Sequence, residues 1–138
     1  AELQRTYSAY VLPEVIPPWT VETVRAIQMV GLAIMVFIIW QMRTLFGIYR
    51  TGEILSARCA TLILSCGRGL LILGVVSFFS NTIIVLLLTF VNETGPQTLV
   101  LTFSDGDFGF FLGGGLITVI GWVMGEAVRM ADENRAFV

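Results

Sequence analysis

The stretch LLILGVVSFFSNTIIVLLLTFV, Leu70 to Val91, holds no charged side chain. Its ~22 residues, at a rise of about 1.5 Å each, match the roughly 30 Å hydrocarbon core of a bilayer. A helix of a soluble protein keeps a polar face towards water, and this stretch has none. The segment therefore predicts a membrane-spanning helix, and the rest of the chain is read outward from it.

Composition points the same way. Of 138 residues, 56% are hydrophobic and 13% charged, against about 25% charged in a soluble domain. A chain of this length has room for three or four short-linked spans and no second domain. With a net charge of -2 and no basic cluster, nucleic acid is not an expected partner. Histidine is absent, so haem or metal sites built on imidazole are excluded within the chain. Cys59 and Cys66, seven apart on one helical face, are too few for a metal centre and read as reduced, structural thiols. No catalytic, cofactor-binding or metal-binding residues are expected.

The fold class expected is an all-α transmembrane bundle with three spans, at about 24–46, 70–91 and 108–125. Upstream of the central stretch, Pro17 and Pro18 break the chain before Trp19-Thr20-Val21-Glu22. Thr20 is the expected N-cap, Trp19 and Val24 the staple pair, and Glu22 the complement to the positive helix end. An apolar run from Ala26 to Trp40 follows, with Trp19 and Trp40 placed to sit in the two interfacial belts. From Ile54 to Val91 there is no proline, and a single helix there would be about 57 Å long. Arg58 and Arg68 lie in its first half. Residues 54–69 are accordingly read as a helix lying in the interface or projecting into the cytoplasm. The alternative buries Arg68 in a span from Leu62 to Leu88, at a cost of several kcal/mol unless it pairs or snorkels.

Downstream, Asn92 to Pro96 reads as a turn and Gln97 to Phe103 as a short extended stretch. Ser104 and Asp107 have the spacing of a capping box, with Ser104 as cap, ahead of a span from Phe108. The connection after the first span carries Arg43, Arg50, Arg58 and Arg68, whereas the one before the third carries Glu93, Asp105, Asp107 and no basic residue. Cytoplasmic loops hold the arginine excess. The C-terminus is therefore expected inside and residues 1–18 outside, as an extracytoplasmic segment. An outside N-terminus in turn predicts a further span upstream of Ala1, with both ends of the complete protein inside.

The segment Tyr49-Arg50-Thr51-Gly52-Glu53-Ile54-Leu55-Ser56 resembles the aromatic-x-x-Gly-x-(Ile)-Phe/Leu-Ser segment of a family of small bacterial membrane proteins of unknown function, DUF2975. So do Leu101-Thr102-Phe103-Ser104 with Asp107-Phe108, and the ending from Ala131-Asp132-Glu133-Asn134 to Val138. The resemblance covers Phe37 onward. It implies four membrane helices with a large first extracytoplasmic segment, in a bacterial inner membrane. Some members stand beside a helix-turn-helix regulator, which implies a link to signalling or stress response. It implies no catalytic residue.

Function is sought in the features left over. Gly109 and Gly113, and again Gly121 and Gly125, are four apart, with Gly114 and Gly115 between. Such spacing lets another backbone approach, either a partner's or the chain's own. Arg68 between two glycines could pair with Glu126 or Asp132, or hold a lipid headgroup together with Arg58. Asp105-Gly106-Asp107 lacks the remaining ligands of a calcium loop. The phenylalanines at 78, 79, 90, 103, 108, 110 and 111 suggest an outer aromatic rim, and Asn81 an interhelical hydrogen bond. With no nucleophile and base together, an enzyme is not expected. The expected function is a non-catalytic accessory subunit packing against membrane lipids and a larger membrane complex, or against copies of itself. An electron-transport or photosynthetic complex is one such host, although no residue selects it. The alternative is a self-standing module, either a small oligomeric transporter or a stress-response component.

Overall fold

The computed structural model describes residues 17–91 and 103–137. The expected extracytoplasmic segment 1–18, the turn at 92–96 and the stretch 97–103 lie wholly or mainly outside those residues. Three long helices make up the described chain: α1 (Pro18–Tyr49), α2 (Ala57–Val91) and α3 (Asp105–Ala136). All three are long and apolar enough to cross a membrane. The fold is all-α, as the uncharged stretch and the composition require.

Local chemistry sets the ends. Pro17 is the N-cap of α1 and Pro18 its first residue, and no side chain caps the end. Proline suits that first position because its fixed φ is helical and the missing N–H would have no partner there. Thr20 thus lies inside the helix, fully buried with Oγ1 unpartnered, and the expected Thr20 cap and its staple are corrected. After Tyr49 the chain turns through Gly52, whose φ of 84° is the left-handed region where a Cβ is strained. Ser56 Oγ accepts from the Cys59 amide at 3.2 Å and starts α2. That helix begins at Ala57 rather than Ile54 and runs unbroken to Val91. Ser104 caps α3 with both reciprocal bonds of a capping box.

Helix α2 is the centre, antiparallel to both neighbours, and among the described residues α1 and α3 meet it rather than each other. Between α1 and α2 there are two small cores: Val24 with Ile84 and Leu88 at one end, and Leu45 and Ile48 with Cys59 at the other. Between them Gln41 Nε2 donates to Ser65 Oγ at 2.8 Å. The Cys66 thiol donates to Gln41 Oε1 at 3.6 Å. Both cysteines are free and buried.

The register of α2 on α3 fixes the depth of the two helices relative to each other. Gly67 packs on Thr118 and Gly121 on Leu64 and Ile63. The first half of α2 therefore lies alongside the stretch Phe108 to Gly125. Conversely, Phe78 meets Phe103 with ring centroids 5.6 Å apart. Helix α2 thus extends about 15 Å past the start of α3. The uncharged stretches of the two helices are staggered.

Candidate functional site

The closest approach in the molecule is a seam of small residues between α2 and α3. A Cβ on Gly114 would stand 2.9 Å from the Leu71 amide nitrogen, and one on Gly121 2.7 Å from that of Leu64. On the α2 side, a Cβ on Gly67 would stand 2.6 Å from the Thr118 nitrogen, and one on Gly74 3.1 Å from Phe110 Cβ. Gly125 closes the seam towards Ala60, at 3.8 Å from its Cβ. Without a hydrophobic drive between helices in lipid, such backbone proximity supplies the van der Waals contact that holds them.

This arrangement separates the glycines that spacing had grouped. Gly121 and Gly125 face α2. Gly109 and Gly113 would meet nothing within 4 Å, and neither would Gly115. Gly109 and Gly125 are about 160° apart around the helix at 100° per residue. The open face continues through Leu116 and Ile120, both exposed. The α2 half of the seam, Gly67 and Gly74, was not singled out by spacing of four. Its signal is a spacing of seven, shared by Ala60, Gly67 and Gly74 and by Gly114 and Gly121, the period of helices that stay in contact.

A second feature lies between α1 and α2. A groove of roughly 290 Å³ is lined mainly by apolar side chains of both helices, with Gly31 in its wall and Phe110 at its α3 end. Four polar side chains open into it: Gln28, Ser77, Ser80 and Asn81. The interhelical bond expected of Asn81 is not formed among the described residues. Thr89 instead donates to the Val85 carbonyl at 2.7 Å.

The other candidates are dispersed. Arg58 and Arg68 are ten residues apart on α2, about 15 Å along its axis. Arg68 is exposed at the level of Ile38 and Thr118. Its suggested partner Glu126 pairs with Arg129, which also approaches Glu133. Trp19 and Trp40 are both outward-facing, 56% and 66% exposed. Trp122, 65% exposed, stands within about one turn of Trp40's level. Asp107 is buried and committed to the cap, its Oδ2 accepting from the Ser104 amide at 3.1 Å. Among the described residues there is no group of three metal-ligating side chains. Phe78, Phe103 and Phe111 form a chain of ring contacts at the start of α3, while Phe79, Phe90 and Phe108 are exposed.

Three apolar helices, two of them joined by a glycine seam, with broad apolar outer faces, define an all-α protein of the membrane-spanning class. The chain belongs to the DUF2975 family, proteins of unknown function, whose sequence model matches residues 1–138. No curated protein and no solved structure matches it.

Proposed function

We propose that this chain is a non-catalytic accessory subunit of a larger membrane protein complex, docked through the outer face of α3. The observation that carries this reading is the division of the α3 glycines. One set is consumed by the seam with α2, whereas a Cβ on Gly109 or Gly113 would meet nothing within 4 Å, so their backbone is open to another helix. Lipid tails gain nothing from a glycine face, but a second helix does.

The orientation proposed follows the arginines. Arg43, Arg50 and Arg58 gather at the end of the molecule that also carries Glu126 to Arg135. That end is assigned to the cytoplasmic side of a bacterial plasma membrane. On α1, Trp19 and Trp40 are about 32 Å apart along the axis, close to a hydrocarbon thickness.

A second reading rests on the α1–α2 groove. Gln28, Ser77, Ser80 and Asn81 present uncharged polar groups within apolar walls. An oligomer that closed this groove from outside would have the polar lining a small transporter needs. Extraction from native membranes in mild detergent, size separation and mass spectrometry of what comigrates tests both. A stoichiometric larger partner supports the subunit, and a homo-oligomer supports the second reading.

A further inference from the structure

On the side of α1 turned away from α2, the helix carries a notch. Ile39, Met42, Arg43, Phe46, Gly47 and Arg50 line it, around a volume of roughly 530 Å³. Its floor is backbone, because Gly47 has no side chain and a Cβ there would meet nothing within 4 Å. Arg43 and Arg50 are seven residues apart, two helical turns, so they stand on one face at either end of the gap. Their guanidinium groups can close over Gly47 from both sides.

Charge and polarity identify the occupant. Both arginines are exposed. The ion pairs among the described residues involve Arg25 and Arg129, leaving the two notch arginines without a carboxylate. Glu53, the first acid beyond Arg50, does not line the notch. A planar guanidinium matches a phosphate through paired N–H donors, and two flanking one gap select a phosphate over a single point charge. Ile39 and Met42 are exposed apolar side chains that lead from Arg43 towards the middle of α1, and Phe46, also exposed, stands between the two arginines. An anionic head with an apolar tail fits both parts. Trp40 lies between Ile39 and the notch arginines and marks the level at which headgroups lie.

We propose that the Arg43–Gly47–Arg50 notch binds the phosphate of an acidic phospholipid, with an acyl chain running from Met42 along Ile39 towards the middle of α1. The site is independent of the outer face of α3 and of any partner docked there.

The test uses the purified full chain in mild detergent, with native mass spectrometry during titration with phosphatidylglycerol and, separately, phosphatidylcholine. Phosphatidylglycerol should be retained at least tenfold more strongly. Arg43→Gln with Arg50→Gln should remove that preference. Gly47→Leu, which keeps both charges and fills the floor, should weaken it at least fivefold. Arg129→Gln, which removes one charge at the same end of the molecule, should leave it unchanged. Equal retention of the two lipids overturns the proposal, as does a preference that survives the double substitution. Full displacement of phosphatidylglycerol by millimolar inorganic phosphate would also overturn it, by showing a free-phosphate site that makes no use of the acyl chain.

Discussion

Gly121 lies against Leu64 so closely that a Cβ on the glycine would stand 2.7 Å from the leucine's backbone nitrogen. Backbone cannot give way as a side-chain tip can, and the seam between α2 and α3 therefore excludes even one added methyl group at this point. Gly113, eight residues earlier on the same helix, meets nothing.

Gly121→Ala should therefore lower the unfolding free energy in detergent by about 1–3 kcal/mol, the usual cost of overpacking. Gly113→Ala, in open space, should be neutral or slightly stabilising, since alanine is the better helix former. Thermal unfolding followed by circular dichroism compares the two. Equal losses at both positions would contradict the seam.

At the start of α3, Ser104 Oγ accepts from the Asp107 amide at 3.3 Å while the Asp107 carboxylate accepts from the Ser104 amide. Ser104→Ala should cost about 1 kcal/mol through loss of the cap. Amide exchange should rise in the first turn of α3 and stay unchanged at Thr118. A uniform rise along the helix would place the damage elsewhere.

The turn after α1 depends on Gly52, at a φ of 84°. Gly52→Ala should destabilise by about 1–2 kcal/mol, the cost of a Cβ in the left-handed region. Gly47→Ala, five residues earlier in the last turn of α1 and unobstructed, serves as the control. The same denaturation experiment reads both.

Sidedness follows from the arginine end. A single cysteine at Thr51, an exposed position, should react with a membrane-impermeant maleimide only after the cells are opened. One at Glu93 should react from outside. Cys59 and Cys66 are buried and should contribute little labelling. Labelling at position 51 in intact cells would reverse the orientation.

The three helices and the cap of α3 were legible because each depends on local pattern. An uncharged run of about 22 residues has one stable form in lipid, and Ser104 with Asp107 is a spacing read within a single turn. The start of α1 was misread by three residues because Thr20 was weighed as the cap without the proline at the first helical position. Lateral register was not legible. Whether Gly67 meets Thr118 or a residue one turn away depends on the whole seam, and hydropathy along one helix says nothing of the stagger between two. That stagger sets residues 60–69 beside the third apolar stretch. The candidate faces were half legible. Spacing located Gly109, Gly113, Gly121 and Gly125, but only the packing shows which pair is already occupied.

The central claim is that the open pair is the one a partner uses. The most direct measurement places Gly113→Leu and wild type side by side in mild-detergent extracts of native membranes and follows particle size and membrane abundance together. The account expects normal abundance for the variant, with the chain released from the larger particle and running as a small one. A variant that stays in a particle of wild-type size would contradict it.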